Sequence, residues 1–233
     1  MITWLLDLDN TLHDAGAAIM PRINSLMTQY VAQSLQVSQA QASDVRVQYW
    51  RRYGATLLGM IRHHAVDPHD FLAQTHDITD LAALVQRDHR LAQLLRRLPG
   101  RKWIVTNAPR AYARVVLRGL GIWPLLDGIV TIEDMAHAGR WQPKPSTPMM
   151  RRLIARLGVP AWRCIMVEDS IENLRSARRC GVRTVWVSRL ARRAQARSSV
   201  LSAQPSRRPH SAVDFHLQSV LTLTRIKLAP SVH

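Results

Sequence analysis

Residues 2–12 read ITWLLDLDNTL. The apolar run over residues 2–8 ends in acids and a polar loop, the pattern of a buried strand that opens at its C-terminal end. Beyond it, Ile19, Ile23, Leu26, Met27, Tyr30, Val31 and Leu35 recur at three- and four-residue intervals, which predicts an amphipathic helix. Helical patterns continue to about Leu95, broken at Tyr53-Gly54 and Asp67-Pro68, and no convincing strand interrupts them.

The pattern then changes. Strands are predicted over 102–105, 127–132, 164–167 and 183–187, separated by helices over 109–119, 148–157 and 171–180, with Gly181 stopping the last. Regular alternation of strand and helix implies parallel strands joined by right-handed crossovers. The expected fold class is therefore α/β: a doubly wound parallel sheet (a Rossmann-like core) carrying an inserted all-helical cap. The expected division is a discontinuous core, 1–15 and 91–224, and a cap over 16–90. Residues 189–211 show no periodicity and read as a mobile basic segment, as does 225–233; a last strand and helix are expected over 214–223.

Composition narrows the function classes. With 233 residues the chain can bury a substantial core, and its two cysteines, Cys164 and Cys180, offer neither a disulfide framework nor a paired-cysteine zinc signature. No basic leader with a cleavage site is visible and no apolar run approaches a bilayer span, so a soluble cytoplasmic protein with no membrane partner is expected. The net charge of +16 would attract polyanions. Yet the cations are nearly all arginine, with only Lys102, Lys144 and Lys227 as lysines, spread along helices without interleaved aromatics. A solvated surface is favoured over a specific nucleic-acid partner.

In doubly wound sheets, ligands sit beyond the carboxyl ends of the strands. Those ends deliver Asp7, Asp9 and Thr11, then Thr106 and Asn107, then Lys144 between two prolines, then Glu168 and Asp169. The set suits phosphoryl transfer. Carboxylates supply hard oxygens for Mg²⁺, Asp7 can attack phosphorus to give an aspartyl-phosphate, and Asp9 can serve as general acid and then base. Thr106, Asn107 and Lys144 would hold the equatorial oxygens. Each residue also has a plainer reading: Thr106-Asn107 and Glu168-Asp169-Ser170 can cap the helices they precede.

The series D-L-D-N-T-L, T-N, K-P and E-D-S resembles the four motifs of the haloacid dehalogenase-like hydrolases, to about residue 188, and the helical insert looks like the small-helical-cap subclass. Dehalogenase members lack the second aspartate, so Asp9 points to the phosphatase branch. YGATLLGM at 53–60, THDITDL at 75–81, GRKWIVTNAP at 100–109 and EDSIENLRSA at 168–177 resemble pyrimidine 5′-nucleotidases. The resemblance implies a nucleotide such as UMP or CMP as substrate. It also implies Asp7, the Asp9 carbonyl and Asp169 as metal ligands, with Glu168 joining directly or through water. His13 stands where that family often has an aromatic residue. In the cap, Tyr53, Gly54, Thr56, His76 and Asp77 are candidates for base or ribose contacts and hinges, or else pack the cap. The alternatives are a phosphatase for sugar phosphates or phosphoglycolate, and a non-catalytic nucleic-acid-binding protein; the oligomeric state is open.

Overall fold

The computed structural model describes residues 1–197 and 211–226. Six strands, β1 (Thr3–Leu6), β2 (Arg101–Val105), β3 (Gly128–Val130), β4 (Cys164–Glu168), β5 (Arg183–Val187) and β6 (Phe215–Leu217), form one sheet in the order β3-β2-β1-β4-β5-β6. Every neighbouring pair is parallel. The first strand made is thus a central one: Leu6 pairs with Ile104 on one side and Val167 on the other. The chain builds outward from β1 to β3, then returns to its other side with β4. This reversal is the switch point at which doubly wound sheets open a crevice.

Successive strand side chains point to opposite faces, so the aliphatic runs feed two cores. Leu5, Val105, Cys164, Met166 and Trp186 face one way. Trp4, Leu6, Ile104, Ile165, Val167, Val185 and Val187 face the other. Leu5, Leu6 and Leu8 are completely buried, each contributing about 1.5–3 kcal/mol by transfer from water, and they fix the root of the loop that follows β1.

Between β1 and β2 run α1 (Ile19–Leu35), α2 (Gln39–Tyr53), α3 (Thr56–His64), α4 (Pro68–Thr75), α5 (Leu81–Leu84) and α6 (His89–Arg97). Local chemistry sets their ends. Ser38 and Gln41 form a reciprocal capping box before α2, Gly54 ends it at φ 82°, and Asp67 caps α4 with Pro68 at its first position. The first four helices bury a core of their own, including Tyr30, Val31, Leu57, Met60 and Phe71, against which Ile132 and Trp141 press from the side of the sheet. Leu81 and Val85 instead join the sheet's core together with Leu91 and Leu95 of α6. The remaining helices are α7 (Arg110–Gly119), α8 (Thr147–Leu157), α9 (Ile171–Arg178) and α10 (Arg189–Arg197). No described helix is long and apolar enough to cross a membrane.

Three expectations need correction. Residues 189–211, expected to be mobile and aperiodic, begin with α10; the stretch 198–210 lies outside the described residues, as does 227–233. The Cβ of Ala194 packs against Gly16, where an added Cβ would come within 2.6 Å, and Arg197 pairs with Asp14 at 3.0 Å. The strand expected over 127–132 is shorter because Thr131 and Asp134 form a capping box that starts a 3₁₀ turn at Ile132. The arginines are not free of aromatics either. The packing of α2 on α3 brings Tyr49 and Tyr53 against His63 and His64, with the Arg52 and Arg62 guanidinium groups over the Tyr53 ring.

Candidate active site

Asp7 is the first residue beyond β1, its N–H still bonded to the Val167 carbonyl at 3.0 Å, so the ladder itself aims the carboxylate into the crevice. The chain then turns sharply. Leu12 N–H returns to the Leu8 carbonyl, and Asn10 adopts φ 59°, a left-handed conformation that asparagine tolerates better than most residues. The Asn10 side chain accepts the Gly16 N–H, closing the loop, and His13 is folded back beside Asp9.

The residues expected at four strand ends do converge. Lys144 Nζ donates to Asp7 Oδ1 at 2.7 Å and to Glu168 Oε2 at 2.8 Å, and the Thr11 hydroxyl donates to Asp7 Oδ2 at 2.9 Å. Lys144 is only 2% exposed and Glu168 1%. A charge this deep would be prohibitive without partners, and the ion triad supplies them. Asp7, Glu168 and Asp169 each offer a carboxylate oxygen within 4.8 Å of the others. At an effective dielectric near 20, each such pair of charges repels by roughly 3 kcal/mol.

Three acids against one ammonium leave the cluster short of positive charge, and the protonation equilibria show it. Burial first, then the Glu168 charge, push the Asp7 carboxyl up to about 7 against the pull of Lys144. Burial with Glu168 and Asp7 holds Asp169 well above the usual carboxylate range. For Lys144, burial opposes the charge, but Asp7 and Glu168 outweigh it and raise the ammonium above its ordinary value. A set of hard oxygen donors with excess negative charge fits a hard divalent cation.

Asp9 occupies a different environment. Its Oδ1 accepts the Tyr112 hydroxyl at 2.6 Å and the His13 Nε2 at 2.8 Å. Tyr112 and His13 are both buried, and the residues following β1 gave no sign that they meet. The signal for Tyr112 was slight: a polar-tipped aromatic on the apolar face of the helix that follows Thr106-Asn107.

Thr106 is buried at the end of β2, where its hydroxyl accepts the Ala108 N–H at 3.0 Å. The Asn107 amide lies on the Lys144 backbone, donating to its carbonyl at 2.7 Å and accepting its N–H at 2.8 Å. This residue, expected at a phosphate oxygen, holds the loop that carries the lysine. Asp169 is anchored through its carbonyl, which accepts the Trp186 Nε1–H at 3.0 Å.

Of the cap candidates, His76 reaches this region. Its ring meets that of Tyr112 edge-on at 5.7 Å, and burial lowers its pKa to about 4 despite the nearby Asp9 charge, so the imidazole is neutral at physiological pH. Gly54 abuts Pro145, beside Lys144. Tyr53 turns its hydroxyl to His63 Nε2 at 2.6 Å, Thr56 donates to the Arg46 carbonyl inside the α2–α3 pair, and Asp77 is exposed. Among the described residues, no hydrogen bond joins these three to Asp7, Asp9, Lys144 or Asp169.

Carboxylates, one lysine and one threonine gather at the switch point of a parallel sheet, beneath inserted helices, in an α/β protein. The chain belongs to the haloacid dehalogenase-like hydrolase family, whose sequence profile matches residues 3–181. It is 24% identical over 194 residues, 77% of this chain and 59% of the relative, to the Saccharomyces cerevisiae protein named phosphate metabolism protein 8. It is 31% identical over 138 residues, 58% of this chain and 49% of the relative, to a phosphoglycolate phosphatase of Rhodospirillum rubrum. The aligned part spans about half the length of these curated relatives. A solved haloacid dehalogenase-like phosphatase from Thermococcus onnurineus shares the fold with TM-score 0.61 and 21% identity over 97% of both chains.

Proposed function

We propose that the protein is a Mg²⁺-dependent phosphate-monoester hydrolase that works through an aspartyl-phosphate on Asp7. One observation carries this reading: two carboxylates two residues apart are held in opposite ways. Asp7 is fixed by Lys144 and Thr11, as a nucleophile must be, while Asp9 is held by Tyr112 and His13 away from the lysine. Carboxylates kept in contrasting environments can take different roles in one reaction.

Asp7, the Asp9 carbonyl and Asp169, with Glu168 directly or through water, would hold the cation. Bound there, Mg²⁺ neutralises charge on the acids and on a phosphate oxygen. The chain's own residues do the rest. Asp7 attacks phosphorus, Asp9 protonates the departing oxygen, and the same carboxylate then takes a proton from the water that cleaves the acyl phosphate. Lys144 and the Thr106 hydroxyl face the phosphoryl oxygens, and Asn107 keeps the Lys144 loop in place.

For the substrate we favour pyrimidine nucleoside 5′-monophosphates, supported by the match of residues 53–60, 75–81 and 100–109 to that family's pattern. Phosphoglycolate is the second reading, favoured by the name of the Rhodospirillum rubrum relative. Phosphate release from UMP, CMP and phosphoglycolate by the pure protein decides between them. Loss of turnover on chelation and in Asp7→Asn supports the hydrolase, and no turnover across a broad monophosphate panel overturns it.

A further inference from the structure

The hydrogen bonds around Asp9 are unevenly divided. Both donors, Tyr112 and His13, reach the same oxygen, Oδ1. Among the described residues Oδ2 has no partner, yet it is not sealed from solvent, and the side chain retains 15% exposure. The two donors come from separate elements. His13 is brought back by the tight turn at Asn10, and Tyr112 is presented by α7, 103 residues away. The Tyr112 ring is in turn braced by the edge of His76 from the cap.

We propose that Tyr112 and His13 are positioning residues that make Oδ1 a fixed acceptor, so that the proton Asp9 delivers resides on Oδ2 and faces the substrate. A carboxylic acid can donate from either oxygen, and only one of the two is useful to a leaving group in a defined place. Two donors on Oδ1 disfavour a proton there, because an O–H would confront two N–H or O–H groups. Tyr112 is suited to the task because its buried ring holds the hydroxyl 2.6 Å from Oδ1, where an O–H facing a carboxylate donates. In the step itself the Oδ2–H proton moves to the bridging ester oxygen as the P–O bond breaks and the Asp7–P bond forms. The alcohol departs neutral, and Asp9 remains as a carboxylate with Oδ1 still hydrogen-bonded to both donors.

The inference rests on the hydrolase reading above, and the leaving group separates the two. A p-nitrophenolate departs without a proton, whereas the alkoxide of UMP needs one. The quantity kcat/KM reports only steps through the first irreversible one, so the later role of Asp9 as base does not enter. With Mg²⁺ present, Tyr112→Phe should lower kcat/KM for UMP by about a hundredfold while leaving that for p-nitrophenyl phosphate within about threefold. His13→Leu should behave like Tyr112→Phe, and His13→Gln, which restores a donor of similar reach, should recover most of the UMP rate. Equal losses on both esters, or no loss on UMP, would overturn the proposal. Should the wild-type protein hydrolyse neither ester, the hydrolase reading fails and the positioning role falls with it. Hydrolysis of p-nitrophenyl phosphate by the variants also reports that they fold.

Discussion

The mouth of the sheet and the α2–α3 face of the cap both gather polar side chains, but in different ways. At the sheet, Lys144, Asp7 and Glu168 are buried, and each is bonded to another group of the same cluster. On the cap, Tyr49, Tyr53, His63 and His64 also pair among themselves, yet near the surface, where water can replace any partner. The strength of a polar contact depends on what replaces it when it is lost. The first cluster should therefore be brittle in both activity and stability, and the second should be soft.

The largest test of that contrast is Asp7→Asn, expected to reduce turnover by about 10⁴-fold or more, the scale on which nucleophiles are lost. A residual rate within tenfold of wild type in a phosphate-release assay would remove Asp7 from the chemistry. Lys144→Met comes next. It keeps the volume but leaves two buried acids without their cation, and the expected loss is about 3–5 kcal/mol in urea unfolding. A loss below about 1 kcal/mol would mean that the cluster is as soft as the cap.

Smaller effects sharpen the same comparison. The Asp7 carboxyl sits at about 7 in the folded protein against an ordinary value of 3.8, so folding favours its protonated form. Its contribution to stability is complete below about pH 4 and is lost as the pH rises through 7. A cation at the acids offsets that loss. Mg²⁺ should accordingly raise the Tm of the metal-free protein by at least about 3 °C at pH 8 and by much less at pH 5, as read by scanning calorimetry. An equal rise at both values would place the cation elsewhere. The smallest effect belongs to the cap. Tyr53→Phe removes an exposed hydrogen bond to His63 and should change stability by less than about 0.5 kcal/mol.

The sheet was legible because its strands are aliphatic runs short enough to be nothing else, and the residues at their ends were legible because a switch point has one open side. What escaped the sequence depends on contacts that no local pattern encodes. Asn107 meets backbone atoms of Lys144, which every residue type possesses. Tyr112 finds Asp9 only because α7 turns one particular face to the β1 loop. Helix α10 escaped because its few apolar residues, Leu190, Ala191 and Ala194, are diluted by arginines, and Ala194 packs on the distant turn at Gly16. The Trp186 anchor on Asp169 lies beyond the last motif that drew attention to residues 168–170.

The central place of β1 has a consequence for how the molecule comes into being. The strand is made well before either of its neighbours, which begin only at Arg101 and Cys164. While the cap helices can assemble on contacts close in sequence, an apolar segment with both edges unpaired must wait until β4 has been translated. Chains with such distant pairings fold slowly and are prone to aggregate in the interval. A nascent chain that stops short of β4 carries Asp7 but neither of the acids at 168 and 169, so it lacks the carboxylate cluster, however well its helices have formed.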